Sequence, residues 1–255
     1  MAKTRASNGS ATKMVIVDDG NERELNRNIS TLIHKDVKVV AKNNSQKELI
    51  KSIKANEITI CSGKAGTGKS YVSIAMALNL LRKQQSPYKK IYLVKSVTTL
   101  TGEELGYLKG DLQQKFEPFL WSFIINAEKV IDDNAIKGLI DYDIVRPLPL
   151  AYIRGITLDN CIVLADEMQN VRLDNSRTLL SRIGENCKMI LLGDTEQIDL
   201  RNKKESSLEC LLNMFDGMDE IGTIRMNSTE LNCRNPIIDK IEEKYERYYR
   251  ENPRK

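Results

Sequence analysis

Apolar residues in this chain follow two spacings, and the two alternate. Ile58-Thr59-Ile60-Cys61, Ile91-Tyr92-Leu93-Val94, Ile162-Val163-Leu164-Ala165 and Met189-Ile190-Leu191-Leu192 are unbroken or nearly unbroken runs of strand length. Helical spacing falls between them: Val72, Ala75, Met76, Asn79 and Leu80 within Ser70 to Lys83, then Leu112, Phe116, Phe119, Leu120 and Phe123. A run with no polar alternation is buried on both faces, so strands of this kind that alternate with helices predict a parallel sheet between helical layers, an α/β fold. The stretch between the second strand and Asp166 is long enough for a helical insertion. Upstream, Ser45-Gln46-Lys47-Glu48 has the form of a capping box opening a helix that carries Leu49, Ile50 and Ile53 inward. Near the other end, Pro236 suits the first turn of a helix with Ile237, Ile241, Tyr245 and Tyr248 at i, i+4 spacing. Tyr245, Arg247, Tyr248, Tyr249 and Arg250 also interleave aromatic and basic groups as a single-strand binder does, but the buried helix face is the preferred reading of Tyr245 and Tyr248.

Residues 1–20 are rich in Ser, Thr, Lys, Asn and Gly with little periodicity, which predicts a mobile tail. The expected organisation is an N-terminal extension over 1–44, partly disordered, one domain over 45–250 and a short tail over 251–255. A chain of 255 residues with 41% hydrophobic content suffices for one good-sized core. The net charge of +4 is compatible with a nucleic-acid partner without requiring one. Five scattered cysteines without C-x-x-C spacing read as reduced thiols in a cytoplasmic protein. A single histidine, His34, leaves no basis for a histidine metal cluster or a Ser-His-Asp triad. No apolar run approaches a membrane span, and no signal peptide is recognisable.

Gly63-Lys64-Ala65-Gly66-Thr67-Gly68-Lys69-Ser70, with Tyr71 after it, fits G-x-x-x-x-G-K-[ST] at every fixed position and lies between a strand and a helix. Glycines let successive backbone N–H groups and the helix N-terminus converge on phosphate oxygens. Lys69 then reaches the β- and γ-phosphates of a nucleoside triphosphate, and Ser70 reaches Mg²⁺.

Asp166 and Glu167 end a buried strand, where open α/β sheets place their ligands, and form a Walker B signature. Asp166 is the candidate Mg²⁺ ligand and Glu167 the candidate base for the attacking water. Gly193-Asp194-Thr195-Glu196-Gln197 places a carboxamide after another strand, where Gln197 can hydrogen-bond to a γ-phosphate or the attacking water.

Gln46, the phosphate loop, Asp166-Glu167-Met168-Gln169 and Gly193 to Gln197 resemble, in that order, the motif series of superfamily 1 helicases. More closely, Leu105-Gly106-Tyr107-Leu108-Lys109-Gly110-Asp111-Leu112, Pro149-Leu150-Ala151-Tyr152-Ile153-Arg154-Gly155, Asp166 to Asn170 and Gly193 to Leu200 resemble the signatures of the PhoH-like ATPase family over about Ser45 to Tyr248. The resemblance implies a three-layer RecA-like P-loop domain that hydrolyses ATP with Mg²⁺ and acts on single-stranded RNA or DNA. It also implies a homo-oligomer, as a hexameric ring with shared ATP sites.

Several residues inherit roles from it. Gln46 corresponds to an adenine-reading glutamine, with the first turn of a capped helix as the competing reading. Lys95 stands where relatives usually carry a nucleic-acid-contacting arginine, and a lysine supplies a phosphate contact without the flat bidentate fork. Arg234, in Cys233-Arg234-Asn235-Pro236, matches a family motif in which Asn235 replaces histidine, and is the candidate for stabilising transition-state charge; Arg154 is the second. The alternative to a nucleic-acid-coupled ATPase is a nucleotide-dependent switch or scaffold for protein partners.

Overall fold

The computed structural model describes residues 19–34, 36–95, 112–226, 235 and 237–252. Helices α1 (Asp19–Leu32) and α2 (Asn44–Ala55) precede β1 (Ile58–Ser62), α3 (Lys69–Leu81) and β2 (Lys90–Lys95). Helices α4 (Leu112–Ala127) and α5 (Asp133–Asp141) form the expected insertion, which leads into β3 (Val145–Pro147) and β4 (Cys161–Asp166). Then come α6 (Leu173–Leu180), β5 (Cys187–Gly193), α7 (Ser207–Met214), β6 (Ile221–Arg225) and α8 (Ile237–Glu251).

The six strands form one sheet in the order β3-β2-β4-β5-β1-β6, and every pairing is parallel. The two-residue strand period divides each apolar run between two cores. Cys61, Leu93, Ile162, Leu164, Ile190 and Leu192 face a layer that includes Leu49 and Ile53 of α2, Val72 and Met76 of α3, and Phe123 of α4. Ile60, Val94, Val163, Ala165, Met189 and Leu191 face Leu179 of α6 and Leu208, Leu211 and Leu212 of α7. The fold is therefore a three-layer α/β/α sandwich. Because all strands run the same way, the carboxyl ends of β1, β4 and β5 open on one edge of the sheet, where the phosphate loop, Asp166 and the Gly193 loop meet.

Four expectations need amendment. The cap of α2 is Asn43, whose side chain accepts from the Gln46 N–H at 2.9 Å, so the helix starts upstream of the capping box read at Ser45. Ile29, Ile33 and Val37 are buried in the first core, so the packed unit includes residues before Ser45. Two strands, β3 and β6, add to the four read from apolar runs; Gly222, Thr223 and Arg225 dilute the apolar pattern of β6, an edge strand. Finally, Tyr245 and Tyr248 are 56% and 60% exposed, and Ile237 and Ile241 are exposed beside them. The apolar stripe of α8 therefore enters neither core, contrary to the buried-face reading.

Candidate active site

β1 delivers the chain to Gly63, and two bonds fix the root of the loop that follows: Gly63 N–H donates to the Gly193 carbonyl at 3.1 Å, and Met226 N–H to the Ser62 carbonyl at 2.8 Å. The loop turns into α3 at Gly68, which has φ +86°, and a Cβ there would lie 2.5 Å from Gln46 Nε2. Only glycine meets both conditions without strain. No side chain caps the N-terminus of α3, so its first-turn N–H groups and the positive end of the helix dipole are directed at the cleft.

That cleft has a volume of about 800 Å³. Its floor and rim bring together Gln46 of α2, Ala65, Gly66, Gly68, Lys69, Ser70 and Tyr71 from the loop after β1 and the start of α3, Asp166 and Glu167 at the end of β4, and Gln197 from the loop after β5. The Lys69 ammonium donates to the carbonyls of Gly63 at 2.7 Å and Lys64 at 3.2 Å, along the inner curve of the loop. Thr67 closes the turn by donating its hydroxyl to the Lys64 carbonyl at 2.9 Å. Ser70 Oγ donates to Asp166 Oδ2 at 3.3 Å, while Asp166 Oδ1 accepts the Glu167 N–H at 2.9 Å. A hydroxyl and a carboxylate side by side beneath a phosphate cradle fit Mg²⁺, which takes few protein oxygens and completes its octahedron with phosphate and water. Among the described residues no cluster of three or more His, Cys, Asp or Glu could hold a metal unaided.

Glu167 has φ 59° and ψ 37°, the left-handed region, which costs a non-glycine residue about 1–3 kcal/mol. Its carboxylate accepts from Gln169 Nε2 at 2.5 Å, and Gln169 Oε1 accepts the Asp194 N–H at 3.0 Å. One turn on, Asn170 and Asp199 pair reciprocally: the Asn170 carboxamide donates to Asp199 Oδ2 at 2.9 Å and accepts the Asp199 N–H at 2.8 Å. The segment carrying Gln197 is thus pinned to the turn after β4 at both of its ends.

Gln46 is 2% exposed. Its Nε2 donates to the Thr67 carbonyl at 2.9 Å and its Oε1 accepts the Lys42 N–H at 2.8 Å, so its carboxamide ties the segment before α2 to the phosphate loop. Lys95 is the register partner of Asp166 on the neighbouring strand and lines a small cavity beside the cleft together with Ser70 and Asp166. Arg154 is exposed in the connection between β3 and β4 and does not line the cleft. Arg234 and all of Leu105 to Leu112 except Leu112 lie outside the described residues.

One wall of the cleft was not foreseen. Ser122 and Asn126 on α4, with Lys129 in the turn after it, line the cleft, and the Lys129 ammonium sits 5.8 Å from the centre of the Tyr71 ring. The i, i+4, i+7 spacing of these three was available in the sequence, but periodicity identifies a polar face without saying what it looks onto. Lys42 joins the rim from the other side.

Comparison with known proteins agrees with this geometry. The chain matches the family described as PhoH-like protein over residues 38–246. A PhoH-like protein of Bacillus subtilis is 34% identical over 226 residues, which cover 89% of this chain and 68% of the relative. One of Synechocystis sp. is 32% identical over 234 residues, covering 91% of this chain and 70% of the relative. Among solved structures, the crystal structure of Pif1 helicase from Candida albicans overlaps 73% of this chain and 40% of that chain at 18% identity, with a TM-score of 0.35. That overlap is too partial to add to the fold read from the strands themselves. With a family match that covers every strand of the sheet and every cleft-forming strand end, the chain belongs to the PhoH-like protein family.

Proposed function

We propose that this protein binds ATP in the cleft above β1, β4 and β5, hydrolyses it with Mg²⁺, and couples the cycle to single-stranded RNA or DNA. The observation that carries the reading is the convergence of Lys69, Ser70, Asp166, Glu167 and Gln197 on one cleft of nucleotide size. Ser70 and Asp166 would hold Mg²⁺, which would supply positive charge beside the phosphates. Lys69 supplies a fixed positive charge to the phosphates, and the N–H groups at the start of α3 orient them. Glu167 orients a water and takes its proton. Gln197, at the cleft but exposed, carries donor and acceptor to the same region and reports the presence of the terminal phosphate.

Lys95 stands one strand from Asp166 and is the phosphate-contacting group through which a nucleic-acid strand senses the cleft. Arg154 is exposed and is not among the residues lining its own cleft, which supports its acting on a neighbour's nucleotide in a ring of six. Arg234, next to the start of α8 in sequence, is the other candidate for that role. Among the described residues no helix is long and apolar enough to cross a membrane.

The test is steady-state ATP hydrolysis with and without single-stranded RNA or DNA, using Glu167→Gln as the blank. Several-fold stimulation supports nucleic-acid coupling. A real but unstimulated rate moves the assignment to a switch acting on protein partners, and no rate above the blank overturns the hydrolytic reading. Light scattering tests the ring: a monomer with full turnover rules out shared sites.

A further inference from the structure

Gln169 has no place in the chemistry above, yet its side chain is one of the most constrained near the cleft. It is 1% exposed and lies in the single helical turn Met168–Asn170 directly after Glu167. Its carboxamide is engaged at both ends, by the Glu167 carboxylate at 2.5 Å and by the Asp194 N–H at 3.0 Å. The chemistry of the partners fixes its orientation: a backbone N–H only donates and an ionised carboxylate only accepts, so oxygen faces Asp194 and nitrogen faces Glu167. A glutamine supplies a donor and an acceptor on one uncharged group at this reach. Glutamate would repel Glu167, and methionine would leave both partners without a bond.

The two partners belong to different elements. Glu167 follows β4, whereas Asp194 follows β5 and heads the loop that reaches the cleft at Gln197. Gly193 is shaped to this contact, because a Cβ there would lie 2.5 Å from Gln169 Oε1 and 2.7 Å from Leu208 Cδ2. The bond to Gln169 occupies Glu167 Oε2 and leaves Oε1 to accept from a water in the cleft. Glu167 meanwhile holds a left-handed backbone conformation that its own side chain does not favour, so its surroundings must hold it there.

We propose that Gln169 is a positioning residue that locks the Glu167 carboxylate to the Gly193–Gln197 loop, so that a shift of that loop changes the aim of the base. The proposal rests on the hydrolytic reading, and it deepens that reading by naming the link between phosphate sensing at Gln197 and water activation at Glu167. A buried amide that merely fills space and stabilises the fold would carry no signal between its two partners.

The experiment uses the full chain as parent, Gln169→Met, which keeps length and removes both bonds, and Gln169→Glu, which keeps the Asp194 bond and makes the Glu167 arm repulsive. First, without nucleotide, the Asp194 amide resonance is followed when Glu167→Gln is introduced into the parent and into Gln169→Met. We expect a shift in the parent and its loss in Gln169→Met; the same shift in both backgrounds, or none in either, overturns the link. Second, both Gln169 variants should lower kcat for ATP by about tenfold or more while affinity for a fluorescent ATP analogue stays within about twofold, since the phosphate loop is untouched. A kcat within about twofold of the parent in either variant, or a loss of affinity matching the loss of kcat, also overturns the proposal. Should Gln169→Met fail to fold, Gln169→Leu, which also removes both bonds, takes its place in the resonance test. A parent no faster than Lys69→Ala would sink the hydrolytic reading, and the Asp194 resonance would still decide whether Gln169 links the two elements.

Discussion

The Lys64 ammonium lies 3.3 Å from Glu196 Oε2, so the second residue of the phosphate loop is paired with the residue before Gln197, between the loops that follow the neighbouring strands β1 and β5. Glu196 is the more exposed partner, and solvent and salt screen such pairs to about 0–1 kcal/mol. The pair therefore matters less for stability than for nucleotide affinity, because a lysine held by a carboxylate is less available to phosphate oxygens. Glu196→Gln is expected to tighten ATP binding by about two- to fivefold at low salt with little change in melting temperature, and the gain should vanish near 0.5 M salt, where the Debye length is only about 4 Å. Titration with a fluorescent ATP analogue at two ionic strengths checks this; unchanged or weaker binding at low salt would refute it.

Lys69 and Glu167 occupy the same cleft but are expected to fail differently. Lys69→Ala removes the charge that the phosphate loop curls around and should abolish measurable nucleotide binding. Glu167→Gln leaves the phosphate loop and the Ser70–Asp166 pair in place, so it should bind ATP near normally while turnover falls by about 10²–10⁴. Equal turnover in Glu167→Gln and the parent would remove Glu167 from the chemistry.

Gly68 and Gly155 make an internal control, since both have positive φ, +86° and +81°. Alanine at Gly155 meets nothing within 4 Å and should cost only the conformational penalty, about 1–2 kcal/mol, with ATP binding unaltered. Alanine at Gly68 adds a 2.5 Å approach to Gln46 Nε2, whose bond to the Thr67 carbonyl braces the loop. Its cost in urea denaturation should exceed that of Gly155→Ala, and nucleotide binding should be lost with it. Matching behaviour in the two variants would show that the Gln46 brace is unimportant.

What the sequence disclosed of this site follows how local each feature is. The phosphate loop is a contiguous pattern whose geometry depends on its own glycines, and Asp166-Glu167 and Gly193-Asp194 each close an apolar run, so strand ends and chemistry could be read together. Gln169 was visible only as a letter in a motif, because its role depends on Asp194, 25 residues away and reached through the β4–β5 pairing. Asn43 displaced the expected cap for a similar reason: several polar residues there could cap, and the backbone chose the one whose oxygen meets the Gln46 N–H. In α8, the apolar spacing predicts a buried stripe and the structure leaves it exposed, because spacing identifies a face without identifying what covers it.

The exposure of that stripe makes a prediction opposite to the buried reading. If Ile241 and Tyr248 were core residues, alanine at either would cost about 2–5 kcal/mol. With both exposed, each substitution should change the stability of dilute protein by no more than about 0.5 kcal/mol. Urea denaturation at low micromolar concentration distinguishes the two, and a loss of several kcal/mol in either variant would restore the core assignment.

Cys61 ties stability to alkaline pH. Its side chain is fully buried beneath the phosphate loop, and burial raises the thiol from 9.0 to about 12, with the Lys69 charge opposing and the Asp166 charge reinforcing the rise. The fold therefore favours the neutral thiol. That contribution is complete below the unfolded value near 9 and is lost as pH climbs from about 9 to 12, where the unfolded thiol ionises and the folded one does not. Each pH unit in that window should lower the unfolding free energy by about 1 kcal/mol beyond the effect of other titrating groups. Cys61→Ala, less stable at pH 7 because a buried side chain is trimmed, should show a correspondingly flatter decline from pH 9 to 11 in urea titrations. Parallel declines in parent and variant would mean that the thiol ionises as readily in the folded chain as in the unfolded one, and that the strand beneath the phosphate loop is open to water.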